Sequence, residues 1–343
     1  MAVLTNYRAL LSTYRARIAV GAAILIVWAL YAYSTAYQPA PSFTGPALRQ
    51  LLRQSEEEYQ ESVRNRAGMI RKYGPTAAEV DSFPSHGEFY TLWDFFPPAY
   101  QCPHRVQRLG TMGDGGKYIC GIERVAAKPA CVVYSFGINS ESSFEADIMR
   151  RAPSCEVWGY DYSVPAFGPE ITTDTHLAPR AHFFPYALGG TDAHTADPPM
   201  WTLQGLMRAN GHSFIDILKI DIEGSEFATL TAVVDAFASK GALPFGQLQL
   251  EIHATPNQEH TPFPVFLKWW ERLEHLGLRP FFSEPNLVYI NLVRGVPPDL
   301  IEYSFINTWG STSLLRISST LRLRGLEPSN DSWSILAEDG VYG

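Results

Sequence analysis

The 343-residue chain is short of positive charge: 27 Lys and Arg stand against 35 Asp and Glu, for a net charge of −8. A nucleic-acid backbone calls for a basic surface, so nucleic acid is set aside as a partner. No internal repeat or low-complexity tract stands out, which removes repeat arrays. Cysteine is scarce, with four residues whose spacings match no zinc site. A G-x-G-x-x-G fingerprint is also missing, which weighs against a nicotinamide dinucleotide enzyme. What is present is 46% hydrophobic and 18% charged residues, enough to bury a core in one large domain with appendages.

The first strong feature is apolar. Ile18 to Tyr33 is an unbroken apolar run, and Ile18 to Tyr37 carries no charge. Twenty helical residues at ~1.5 Å each span ~30 Å, the thickness of a bilayer's hydrocarbon core. Arg8, Arg15 and Arg17 precede the run without an acid, whereas Arg49 and Arg53 beyond it are soon balanced by Glu56, Glu57 and Glu58. This asymmetry predicts a single-pass type II anchor over residues 18–37, a cytosolic tail over 1–17, and a remainder facing the lumen of the endoplasmic reticulum or Golgi, or the outside. Trp28, Tyr31, Tyr33 and Tyr37 suit the far interface. The alternative is a cleaved signal peptide with Ser34 and Ala36 near the cut, but the run is longer than most signal cores. All four cysteines follow the anchor, where an oxidising compartment permits disulfides. Asn330-Asp331-Ser332 is a glycosylation triplet.

Residues 38–95 read as a linker and helical stem. Pro39, Pro41 and Pro46 open it, and Leu48, Leu52, Tyr59, Val63 and Ile70 recur near helical spacing from Pro46 to Lys72. The alternative is a first helix packed onto the domain. From about residue 96 to 310, strands and helices alternate. Val106 to Ile122 reads as a hairpin turning at Asp114-Gly115-Gly116. Strands are predicted at Cys131–Phe136, Cys155–Tyr160, His182–Leu188, Phe214–Ile220 and Phe245–Ile252. Ser142 and Glu145 are spaced as a capping box for a helix reaching about Arg151. Further helices cover Glu226–Phe237 and Phe263–Leu276, the second stopped by Gly277. Arg279–Ser283 and Leu287–Val293 read as a closing antiparallel pair. The pattern implies an α/β fold with a doubly wound, mostly parallel sheet, whose ligands lie at the C-terminal strand ends. Cys131 and Cys155 open strands that should be neighbours, which makes them bridging candidates and leaves Cys102 for Cys120; four buried thiols are the alternative. Residues 311–343 form a C-terminal extension.

Three polar clusters fall at predicted strand ends. Ser135-Phe136-Gly137-Ile138-Asn139 offers close backbone approach and free N–H groups. Asp161 ends the next strand, where a carboxylate can bind ribose hydroxyls or cap a turn. Asp221-Ile222-Glu223-Gly224-Ser225-Glu226 brings three carboxylates to one strand end, which is costly unless they bind something. Glu226 is also placed to stabilise the following helix terminus. Glu251 or His253, at the end of the next strand, can face the same crevice. His253 has the chemistry of a general base, although a lone histidine is more often structural.

The series CVVYSFGIN, CEVWGYD, FIDILKIDIEGSEF and LQLEIH resembles the FkbM-type and related methyltransferase-like families of class I S-adenosylmethionine-dependent methyltransferases. RLGTMGDGGKYIC resembles an Asp-Gly-Gly element of a secreted or membrane-bound branch. The likeness covers about residues 100–310, with LKIDIEGSE its most specific part. It implies a seven-stranded Rossmann-like sheet and S-adenosylmethionine as cofactor. By position, Ser135, Gly137 and Asn139 would lie at the methionine part of the cofactor and Asp161 at its ribose. Asp221 would sit beside the reacting methyl with Glu223 nearby, and the Asp114–Lys117 turn would fold over the site. Asn139 stands where a second glycine is common, a departure from the family pattern at the part of the loop that would meet the cofactor's carboxylate.

The expected reaction is displacement at a sulfonium methyl by an oxygen nucleophile on a glycan, lipid or small metabolite. Asp221, Glu223 or His253 would take the hydroxyl's proton. A divalent cation on Asp221 and Glu223 is an option, without a visible third ligand. Phe281, Phe282, Trp309 and Ser318–Gly343 are candidates for the acceptor pocket. Two rivals remain. A type II glycosyltransferase shares the topology and could use Asp221-Ile222-Glu223 for a metal-bound nucleotide sugar. A non-catalytic binding module could keep the same fold.

Overall fold

Leu48, Leu52, Ser55, Tyr59 and Arg66 recur at helical spacing along helix α1 (Gly45–Tyr73), and all five are buried. That stripe packs on the rest of the domain. Arg66 forms an ion pair with Glu274 at 2.6 Å and donates to the Phe95 carbonyl at 2.8 Å. Arg279 clamps Glu56 at 2.8 Å. Of the two readings of this segment, the structure has the helix packed onto the domain. The computed structural model describes residues 22, 25–28, 45–85, 88–287, 289 and 298–309. The predicted anchor, apart from Ala22 and Leu25–Trp28, and the extension 311–343 with its glycosylation triplet lie outside the described residues. Among the described residues no helix is long and apolar enough to cross a membrane. Met1–Ser42 and Phe43–Gly343 are separate compact units, so α1 belongs with the catalytic unit.

After two short 3-10 turns comes the predicted hairpin. Strands β1 (Val106–Leu109) and β2 (Lys117–Cys120) pair antiparallel and lead into the short helix α2 (Ile122–Ala126). Next come β3 (Cys131–Phe136), α3 (Ser143–Arg151), β4 (Cys155–Tyr160), α4 (Pro169–Thr172) and β5 (Ala181–Phe184). Two-residue strands β6 (Ala187–Leu188) and β7 (Met200–Trp201) pair apart from the main sheet and precede α5 (Leu203–Asn210). The chain closes with β8 (Ile215–Ile220), α6 (Glu226–Phe237), β9 (Phe245–His253), α7 (Phe263–His275), β10 (Leu278–Pro285) and β11 (Leu300–Asn307).

The seven-stranded sheet runs β10-β11-β9-β8-β3-β4-β5, parallel except for β11, which is antiparallel to both neighbours. Along β3 the side chains alternate: Val133 joins the core cluster shared with α3, while Tyr134 and Phe136 join the cluster shared with α6 and α7. Both faces are covered, so all six residues of β8 are buried. From β3 the chain winds outward to β4 and β5; from β8 it winds the other way, to β9. The strand order reverses between β3 and β8, and the C-terminal strand ends at such a point are where an α/β sheet binds ligands.

Both disulfides proposed from strand geometry are present. Cys131 and Cys155 face each other in register with Cα atoms 4.2 Å apart, and Cys102 joins Cys120 at 5.9 Å.

Three expectations need correction. The strand His182–Leu188 is broken at Pro185, which has no N–H to extend the ladder, so only Ala181–Phe184 joins the sheet. The partner of β10 is Leu300–Asn307; most of Leu287–Val293 lies outside the described residues. The capping box at α3 does not form. Ser142 Oγ accepts from Gly168 N at 2.9 Å, and Glu145 turns inward to Ser135.

Arg66 and Glu274 are 4% and 6% exposed, so removing one partner strands a buried charge. Arg66→Ala is expected to lower the unfolding free energy by about 3–5 kcal/mol in urea denaturation. A loss below about 1 kcal/mol, the level of an exposed pair, would contradict the docking of α1.

Candidate active site

At the end of β3 the backbone turns through Gly137 at φ +81°. A Cβ there would collide with the Asp221 carbonyl oxygen, so the loops after β3 and β8 touch only because residue 137 is glycine. Lys219, buried on β8, reinforces the contact by donating from Nζ to the Gly137 carbonyl. Beneath it, Ser135 is fully buried and its Oγ donates to Glu145. Burial raises the Glu145 carboxyl's pKa, partly offset by Lys219 and the Ser135 hydroxyl. Ser135 thus supports the loop from beneath, with its side chain turned to Glu145. Asn139 does lie on the exposed side, in a left-handed conformation at φ +44°.

Asp161 closes the other side of this loop. Its Oδ2 accepts from the N–H groups of Ile138 at 2.8 Å and Asn139 at 2.9 Å. Its Oδ1 accepts from Ser163 N at 2.7 Å and Ser163 Oγ at 2.6 Å. Burial opposes the charge, but these donors, the Asn139 N–H foremost, hold the carboxyl below its ordinary range. Four protein donors fill a carboxylate's acceptor capacity. In this structure Asp161 shapes the glycine loop, and a ribose contact would require exchange of some of these bonds.

Asp221 follows β8 and forms part of a row of acids. Glu284 on β10 stands opposite Glu302 on β11, and Glu302 stands opposite Glu251 on β9. Ile220 pairs with Leu250, so Asp221 comes next to Glu251 one residue on. Like charges directly opposed across strands are destabilising, and the hairpin supplies the remedy. Arg108 on β1 reaches Glu284 at 3.4 Å. Lys117 on β2, 3% exposed, forms an ion pair with Glu302 and lies 3.8 Å from Asp221 Oδ2. Burial disfavours the ammonium, yet Glu302, Asp221 and Glu251 outweigh it and raise the Lys117 pKa. Burial likewise opposes ionisation of Asp221, but Lys219 and Lys117 bring its pKa below the usual value. The hairpin is also fixed by Gln247, whose amide pairs with the Cys120 backbone at 2.8 and 3.0 Å. Asp114 and Lys117, on either side of this turn, therefore lie against the acids.

His253 does not present a free base. Its Nδ1 meets Glu226 Oε1 at 3.0 Å and its Nε2 meets Glu223 Oε2 at 3.2 Å. Burial works against a charged ring, but Glu226, with Glu251 and Glu223 around it, pushes its pKa up to about 9. At neutral pH it is an imidazolium, which has no proton-accepting nitrogen. Glu226 Oε1 also accepts from Ile222 N at 3.0 Å and Gly224 N at 3.2 Å, so it organises the whole turn rather than only the helix end. Glu223 projects into solvent from a left-handed residue at φ +56°.

Ligand atoms of Asp221, Glu223 and His253 lie within 4.8 Å of one another, as do those of Asp114, Glu251 and Glu302. In the first group His253 contacts Glu223, and in the second Lys117 forms an ion pair with Glu302; neither contact asks for a further ion. The divalent cation considered for Asp221 and Glu223 is therefore not called for by this arrangement. Lys219 and Glu302 escaped the sequence reading. Each is a charged residue inside an otherwise apolar stretch, and that was the available signal.

A family profile described as "Methyltransferase domain" matches residues 55–306. No curated protein matches the chain significantly. Among solved structures, the chain is similar to a Methanococcus jannaschii fibrillarin pre-rRNA processing protein at 14% identity and TM-score 0.32, over 59% of this chain and 82% of that one. It is similar to the mitomycin 7-O-methyltransferase MmcR at 15% identity and TM-score 0.29, over 54% and 52%. An O-methyltransferase family protein from Burkholderia thailandensis gives 12% identity and TM-score 0.29, over 55% of each chain. The profile match displaces the glycosyltransferase alternative.

Because its folded pKa is raised to about 9, His253 contributes stability that is fully present below its unfolded value, roughly 6.5. That contribution is lost as pH rises through about 9. The stability gap between wild type and His253→Asn is expected to shrink across that window in denaturation series. A gap that widens with pH would contradict the imidazolium.

Proposed function

The chain belongs to the methyltransferase domain family and is an S-adenosylmethionine-dependent methyltransferase, and from that premise we propose that it methylates a hydroxyl on a luminal or extracellular acceptor. The observation that carries the oxygen reading is Asp221: an ionised, partly accessible carboxylate at the sheet's reversal point, touching the glycine loop. A hydroxyl must give up its proton as it is methylated, and a positioned carboxylate is a suitable recipient.

The residues suit the cofactor in charge. A sulfonium is a cation, and the loop after β8 offers the partly buried Asp221 and, at the surface, Glu223. The loop of Gly137 and Asn139 would pass beside it, with Asp161 holding that loop in form. When bound, S-adenosylmethionine supplies an electrophilic methyl whose bonding pair stays on sulfur as the new bond to oxygen forms. The protein's own task is to align the acceptor and move its proton.

Assignment to the FkbM-type branch and to the secretory pathway completes the reading. LKIDIEGSE and the Asp114-Gly115-Gly116 turn support the first. The charge-free run of residues 18–37, its preceding arginines and two disulfides in the catalytic unit support a type II anchor with a luminal domain.

Asp221→Asn is expected to leave S-adenosylhomocysteine binding within a few-fold of wild type. It should lower transfer of labelled methyl to luminal extract by about 10²–10⁴-fold. Asp161→Ala is expected to abolish S-adenosylhomocysteine binding in calorimetry, because the glycine loop loses its anchor. Full activity in the first variant, or unchanged binding in the second, would contradict these assignments.

A further inference from the structure

Two segments with exposed apolar side chains meet over Glu251. The first is the hairpin turn between β1 and β2, which carries Met112, 84% exposed. Thr111 N donates to Ser143 Oγ at 2.7 Å, and Asp114 brings its carboxylate within 4.8 Å of those of Glu251 and Glu302, so the turn is held at both ends. The second follows β10 and carries Leu287 and Tyr289, 76% and 52% exposed. Strands β9 and β10 are both antiparallel to β11, and β9 is parallel to β8, so β10 ends at the same end of the sheet as Asp221. Asn286 fixes this segment there: its Nδ2 donates to Glu251 at 2.9 Å, and its carbonyl accepts from Tyr289 N at 3.1 Å. Large apolar side chains grouped in water beside a polar site mark a place where something apolar binds. Charge on this flank is one-sided. Lys117 and Arg108 are paired with Glu302 and Glu284, while Asp114 in the turn and Glu223 after β8 stay exposed. An anionic group approaching Asp221 is repelled there, and a cationic one would be brought against the cofactor's sulfonium.

We propose that the acceptor is an uncharged alcohol with an extended apolar body, received by Met112, Leu287 and Tyr289 while its hydroxyl reaches Asp221. The inference rests on the oxygen-methylation reading above and names the class of acceptor for it. The glycine loop and Asp161 occupy the β3 and β4 side proposed for the cofactor. The acceptor therefore comes to Asp221 from the side of Glu251 and Glu302, and the two apolar segments stand on that approach. Their side chains suit an amphiphile for separate reasons. The Tyr289 phenol joins an apolar ring to a polar tip, and the unbranched Met112 thioether adapts to an irregular apolar surface. Affinity comes from apolar area removed from water, and selectivity from the exposed acids that reject an anionic head.

The test uses the full chain with S-adenosylhomocysteine present and two probes, octyl glucoside and octyl phosphate, each below its micelle-forming concentration. The probes share an apolar chain and differ in the charge of the head. In calorimetric titration at low salt, octyl glucoside is expected to bind about tenfold more tightly than octyl phosphate, with the difference narrowing as salt is added. The double variant Met112→Ser/Leu287→Ser should weaken octyl glucoside binding about tenfold. Both positions are exposed, so the variant should fold, and an S-adenosylhomocysteine affinity within about threefold of wild type verifies it. Octyl phosphate bound as tightly as octyl glucoside, no binding of octyl glucoside, or binding that the double variant leaves unchanged would overturn the proposal. A loss of S-adenosylhomocysteine affinity beyond about tenfold would place the two residues at the cofactor and also overturn it. Octyl glucoside that binds as expected yet receives no labelled methyl from S-adenosylmethionine would count against the oxygen reading alone, because the binding series decides the apolar recognition by itself.

Discussion

Lys117 enters a row of acids that the sheet cannot hold without it. Glu302 and Glu251 are opposed in register, and Asp221 follows on the adjoining strand. Two buried like charges in that geometry repel strongly, and the lysine answers from a different part of the chain. Its position depends on the hairpin, which depends on the Cys102–Cys120 disulfide, the Gln247 amide pairing and the stacking of Tyr118 on Phe282 at 3.7 Å. The hairpin is thus an electrostatic component of the site.

A second set of contacts fixes the glycine loop after β3, the proposed cofactor side. Gly137 lets two loops touch, Lys219 ties them from below, and Asp161 fastens the N–H groups of the same loop. Glu226 does the same for the turn after β8, gathering two backbone N–H groups and the His253 ring. Each charged residue at the rim is held by another, which keeps the constellation in place before any ligand arrives.

Much of this was legible in the sequence. CVVYSF, CEVWGY and the helix Glu226–Phe237 fall where periodicity put them, since apolar runs bounded by polar strand ends leave little choice of register. The pairing of Cys131 with Cys155 followed from two strands opening in step. Other features were not legible because they depend on long-range partners. Glu145 reads as a capping residue until Ser135 and Lys219 are seen beside it. His253 reads as a base until Glu226 is found on its Nδ1. The stripe of α1 fits a stem or a packed helix equally well, and only the burial of Arg66 against Glu274 decides. Strand β11 escaped notice because Glu302 interrupts its apolar pattern, and that interruption is the functional feature.

A crystal structure with S-adenosylhomocysteine bound tests the central claim most directly. The account places the ligand at the C-terminal ends of β3 and β8, with its sulfur on the Asp221 side and the Gly137 loop beneath its amino-acid end. Lys117 should still bridge Glu302 and Asp221. A ligand bound elsewhere, or one that enters only by expelling Lys117 from the acid row, would contradict it.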